Sequence, residues 1–183
     1  MKFLSYIAGL LIVLSSCTMV TSKNLPGKKI ATFPKNMQGS YSFQYPESFA
    51  AMMEGVSSDV VINANQILMT TDGKENVMQL NDSLFLSKIK KDLYLSIGAV
   101  PSLTVFKLVP NGTNWDLFPM FTENASVEVM QPYFKSVEAT QMPSEDGEAA
   151  GDMIYEVTIN DKKLAAYFKS DLPSKDPFKL IRK

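Results

Sequence analysis

Between Asp59 and Phe121 the chain is a succession of short apolar or alternating runs, each closed by turn residues. Val60-Val61-Ile62 and Ile67-Leu68-Met69 flank "NAN", and Thr71-Asp72-Gly73-Lys74 is an Asp-Gly hairpin turn whose glycine takes the positive φ of a tight turn. Asn76 to Leu80 returns, Asn81-Asp82 turns, and Ser83 to Ile89 runs out to the polar turn Lys90-Lys91-Asp92. Leu93, Leu95 and Ile97 then alternate with Tyr94 and Ser96, a period of two that places one apolar face on a strand. The clearest hairpin is Leu103 to Val109, a turn at Pro110-Asn111-Gly112, and Trp115 to Phe121. A chain patterned this way folds most economically as half-buried antiparallel strands joined by short turns.

The flanks extend the pattern. Tyr41, Phe43 and Tyr45 share one face of a strand over Ser40–Tyr45, and Phe49, Met52, Met53 and Val56 have helical spacing within Glu47–Val56. That short helix would cover a barrel mouth or a sheet face. Val127, Met130, Phe134 and Val137 recur at steps of three and four, so a helix is expected within Asn124–Glu138. Pro132 sits comfortably only in a first turn, so either the helix begins near Gln131 or a strand hands over to it. Thr140 to Asp152 reads as an acidic loop, Met153–Ile159 as a strand, Asn160-Asp161-Lys162 as a turn and Leu164–Lys169 as the partner strand. Phe178, Leu180 and Ile181 suggest a last strand. The fold class is mainly β: a single antiparallel β-barrel or sandwich of about eight or nine strands with one or two short helices.

The start of the chain has a different character. Met1-Lys2 carries one positive side chain, and Phe3 to Leu14 is apolar apart from Ser5 and Gly9. This is shorter than the roughly 20 residues a spanning helix needs, and it has the length and flanks of a secretory signal. Leu14-Ser15-Ser16-Cys17 follows, and Cys17 is the sole cysteine. The run resembles the lipobox of bacterial lipoprotein precursors, an aliphatic residue and two small ones before cysteine. The resemblance implies cleavage before Cys17, a diacylglyceryl group on its sulfur, and a membrane held through two or three acyl chains. Thr18, rather than an aspartate, follows the cysteine, which in that family favours the outer membrane, and no acidic cluster resembling a surface-export signal comes next. The expected organisation is a signal peptide over 1–16, a lipidated N-terminus and flexible tether over 17–35, and a β-rich globular domain over 36–183 facing the periplasm.

Composition narrows the chemistry. There is no histidine, which excludes Ser-His-Asp and Cys-His nucleophile systems and histidine-based zinc sites. The 18 basic and 19 acidic residues nearly balance and Arg182 is the single arginine, so a nucleic-acid surface is not expected. No phosphate-binding glycine loop, nucleophile elbow or calcium-loop pattern occurs. No cofactor or metal is expected.

Candidate sites remain few. Gly39-Ser40-Tyr41 is similar to the glycine-x-tryptophan start of the first strand in lipocalin-like barrels, with tyrosine in place of tryptophan. The resemblance implies that a late arginine packs on that aromatic at the barrel's closed end, hence a Tyr41–Arg182 pair. Among eleven methionines, Met52, Met53, Met69, Met78, Met120 and Met130 fall at apolar positions and read as core filling before they read as walls of an adaptable pocket. The same two roles are open to Tyr94, Phe106, Trp115, Phe118 and Tyr133. Glu145, Asp146, Glu148 and Asp152 read as a solvated loop before they read as calcium ligands. The sequence therefore points to a membrane-anchored lipoprotein whose domain binds an apolar small molecule or an envelope component. A structural or assembly partner of an envelope complex is the alternative, and a carboxylate-dependent enzyme acting on glycans comes third.

Overall fold

The computed structural model describes residues 19–47, 58–71, 73–120, 126–141 and 153–183. The signal segment, Cys17, nearly all of the expected 47–56 helix and the acidic 142–152 segment lie outside them. Thirteen strands appear among the described residues: β1 (Met19–Ser22), β2 (Lys28–Ile30), β3 (Gly39–Gln44), β4 (Ser58–Ile62), β5 (Gln66–Thr71), β6 (Lys74–Gln79), β7 (Leu84–Ile89), β8 (Asp92–Ala99), β9 (Ser102–Asn111), β10 (Asn114–Pro119), β11 (Phe134–Gln141), β12 (Met153–Ile159) and β13 (Phe178–Arg182). Two short helices, α1 (Val127–Met130) and α2 (Asp161–Tyr167), complete the set. The strands form one large, mainly antiparallel sheet curled into a half-barrel. Its order is β11-β12-β1-β9-β10-β13-β3-β4-β5-β6, and β9 also pairs with β8, which leads through β7 to β2.

Alternation decides which side chains enter the curl. Val60 and Ile62 of β4 are buried while Asp59 and Val61 face out; Trp115 and Leu117 of β10 are buried with Leu180 and Phe178 of β13 beside them. Tyr41, Leu84, Leu86, Leu95, Phe106 and Leu108 complete this concave core. The outer faces of β7, β8 and β9 are buried too. Phe85, Tyr94, Leu103 and Val105 pack into a second core with Val20, Tyr155, Val157, Ile159, Leu164 and Tyr167. Burial on both faces explains why Leu84 to Ser87 is buried without alternation.

Three expectations need correction. The segment 19–35 is not a tether. β1 lies parallel to β12, with Met19 opposite Ile154 and Ser22 opposite Val157, and Ser22 also meets Leu103 of β9. Val20 and Phe33 are buried, and the polar residues between them bond to the protein: Asn24 Oδ1 accepts from Ile159 N (2.7 Å), and Lys23 N donates to Val157 O (2.8 Å). Average polarity over the segment hides two short strands, β1 and β2, and a few turn residues whose bonds run to the fold.

The 164–169 stretch is the end of a helix and the turn after it, not a strand. Asn160 Oδ1 accepts from Lys162 N and caps α2, which buries Leu164 and Tyr167 at the i, i+3 spacing of one helix face. In 124–138 the order is reversed as well: Ser126 caps the four-residue α1, and β11 follows from Phe134. Val127 and Met130 keep helical spacing, but Pro132 falls after the helix rather than in its first turn.

Because β1 carries part of the second core, Val20→Ala should lower stability by about 2 kcal/mol. Val100→Ala, at a position 60% exposed, should stay within about 0.5 kcal/mol of the parent. Urea unfolding of the two variants checks this.

Candidate functional site

β13 fits between β10 and β3, and its register sets Arg182 opposite Tyr41. The guanidinium carbon lies 5.5 Å from the Tyr41 ring centroid. Nη1 donates to Tyr41 Oη (3.2 Å) and to Asn36 O (3.3 Å), and Nη2 donates to Gln38 O (2.9 Å). Tyr41 Oη in turn donates to the carbonyl of the buried Met37 (2.8 Å). Gly39 has φ +145°, and a Cβ there would come within 2.7 Å of Arg182 Nη2, so only glycine leaves room for the flat guanidinium. With three hydrogen bonds to two carbonyls and a phenol, this pair ties one rim of the half-barrel together.

The concave face carries the apolar surface. Phe43 stacks on Phe178 at 5.7 Å between centroids and meets Tyr45 edge-on at 5.0 Å, while Phe106 lies edge-on to Phe178 at 5.9 Å. Phe43, Tyr45, Met69, Met78, Leu93 and Ile97 are only partly buried against this core. A cleft of about 360 Å³ opens where β8, β9 and β10 meet, walled by Leu93, Leu108, Val109, Pro110 and Trp115, with Lys91, Asp92 and Lys107 at its edge. Asp92 is engaged by Lys107 at 3.8 Å. One cross-strand row reaches this cleft: Lys28 opposite Lys88, Lys88 opposite Leu93, Leu93 opposite Leu108, and Leu108 opposite Leu117.

The second core holds different polar groups. The hydroxyls of Ser87, Tyr94, Ser96 and Tyr167 are buried without a hydrogen-bond partner among the described residues. Burial pushes the Tyr167 phenol well above the usual tyrosine range, and burial followed by the charges of Asp92 and Asp161 does the same to Tyr94. Among the described residues, no group of three or more His, Cys, Asp or Glu could hold a metal ion, and no helix is long and apolar enough to cross a membrane.

The residues singled out in the sequence divide between these regions. Phe106 and Trp115 belong to the concave core, and Met69 and Met78 are half-buried against it. Tyr94, Met120 and Met130 fill the second core, with Tyr133 packed on its margin. Phe118, on β10, is partly buried. Met52, Met53, Glu145, Asp146, Glu148 and Asp152 lie outside the described residues. Sequence reasoning missed the cleft and the lysine pair at the end of its row. "KK" at Lys28-Lys29 and "KIKK" at Lys88–Lys91 are visible in the chain, but their juxtaposition depends on β2 pairing with β7. In comparisons of sequence and of fold, no protein-family model, no curated protein and no solved structure matches this chain.

Gly39→Ala should destabilise by more than about 1 kcal/mol. Adding Arg182→Ala should recover the steric part of that loss, so a double-mutant cycle should be non-additive by at least about 0.5 kcal/mol. For Tyr167 the sign follows from proton release. Above about pH 10 the unfolded chain loses the phenol proton that the folded chain keeps, so stability falls as pH rises past that point. Tyr167→Phe should therefore unfold at a denaturant midpoint no lower than the parent at neutral pH, since its hydroxyl has no partner among the described residues, and lose less stability in alkali.

Proposed function

We propose that this chain is a lipid-anchored lipoprotein of the bacterial envelope whose half-barrel takes an apolar small molecule. The observation that carries the ligand half is the cleft: about 360 Å³, with mainly apolar walls that include Leu93, Leu108 and Trp115. That size lies within the range of small-molecule sites, and thioethers repack readily around varied apolar shapes. The stack of Arg182 on Tyr41 supports a lipocalin-like reading of the barrel.

The anchor half rests on Leu14-Ser15-Ser16-Cys17 behind an apolar leader. With β1 beginning at Met19, a lipidated Cys17 has only Thr18 between itself and the sheet. Two residues reach at most about 7 Å, so the domain would rest on the headgroups of the outer membrane's periplasmic leaflet.

Metabolic labelling with a radioactive fatty acid should mark the chain. Cys17→Ser should abolish the label and move the protein from the membrane to the soluble fraction. Native mass spectrometry of the protein drawn from its own envelope should show an added apolar mass; a bare chain would sink the ligand half, and an unlabelled one the anchor half.

A further inference from the structure

We infer that the cleft's ligand is an anionic amphiphile: an acyl or similar chain lying against Leu93, Leu108 and Trp115, with a carboxylate or phosphate head held by Lys28, Lys88 and Lys91. This deepens the apolar-ligand reading and rests on it.

The argument starts from a cost. Lys28 and Lys88 are directly opposed in the β2–β7 ladder, and like charges so placed repel. Both are exposed, and neither has an ion pair among the described residues. By alternation along β7, Lys88 shares the face of Leu84 and Leu86, which is the concave one. The Lys88 position is paired with Leu93, a wall of the cleft, and Lys91 lies on the cleft's edge. The one carboxylate there, Asp92, is engaged by Lys107, which leaves the balance around the opening positive.

An apolar surface ending in two opposed cations is a mismatch for a neutral hydrocarbon, which gains nothing from the charge. It suits a molecule with a greasy body and an anionic end. An anionic head would accept charge-assisted hydrogen bonds from ammonium groups and cancel the Lys28–Lys88 repulsion on binding.

Trp115, the only tryptophan, reports from the cleft wall. All the described elements lie beyond residue 18, so the chain from residue 17 with Cys17→Ser serves as the protein without its anchor. Titration with decanoate, decyl phosphate and decan-1-ol, read by Trp115 fluorescence and by calorimetry, separates body from head. At least one anion is expected to bind about tenfold tighter than the alcohol, and Lys28→Gln with Lys88→Gln should remove that advantage while leaving alcohol binding unchanged. Which anion prefers the site tells a carboxylate head from a phosphate. Equal affinity for the alcohol and both anions would overturn the head-group assignment and leave the apolar-ligand reading standing. Binding by none of the three would overturn both. The lysine variants should unfold at an equal or higher urea midpoint than the parent, because they relieve a repulsion; a lower midpoint would show that the lysines serve the fold and would overturn the inference.

Discussion

β9 is the strand on which the rest of the structure depends, because one of its edges is divided. Phe106 to Asn111 pair with β10 and continue the half-barrel, while Leu103 meets Ser22 of β1 and starts a second branch through β12 to β11. The other edge is paired with β8 from Ser102 to Leu108. A strand committed in this way must present apolar side chains in both directions, and it does: Phe106 and Leu108 enter the concave core, Leu103 and Val105 the second. Two cores on opposite faces of the same three strands follow from that division. So does the burial of β1, whose only route into the sheet is the gap that β10 leaves beside the start of β9.

What the sequence made legible was decided by range. Strand periodicity and turn chemistry are local, and the hairpins from Asp59 to Phe121 correspond to β4 through β10. Elements fixed by distant partners were not legible. Val20 sits in a polar segment and becomes part of a strand only because β12, over 130 residues away, and β9 leave a slot for it. Leu164 and Ala165 begin a run that looks like a strand, yet the Asn160 side chain caps α2 and burial of Leu164 and Tyr167 selects the helix. The cleft was hidden for the same reason. Trp115 was a visible candidate, but its neighbours Leu93 and Leu108 and the lysine row are assembled by ladder register.

Close approach explains the small and unsatisfied groups of the second core. Ser87 stands opposite Tyr94, and Ser96 opposite Phe85, so small side chains alternate with large rings on one sheet face. Gly27 passes over β7 so closely that a Cβ would fall 2.3 Å from Lys88 O, and its N–H donates to Asp161 Oδ1 (2.9 Å) at the start of α2. Larger residues at Ser87, Ser96 or Gly27 would lift this layer off the sheet. The buried hydroxyls without partners are destabilising individually, by about 1–3 kcal/mol for each group wholly cut off from water.

The two cores thus differ in what they allow. The second is closed by β1, β12 and α2, with Val20, Val157, Leu164 and Tyr167 wholly buried, and any added volume there must displace backbone. The concave core ends in Phe43, Tyr45, Met69, Met78 and Leu93, which are only partly covered and belong in part to flexible side chains. Partly covered side chains of this kind can change rotamer without moving the backbone that carries them. The rigid face fixes β7, β8 and β9, and those strands hold Lys88, Leu93 and Leu108 in the row that leads to the cleft. Close packing on one side and partly covered side chains on the other are therefore assigned to opposite faces of the same strands.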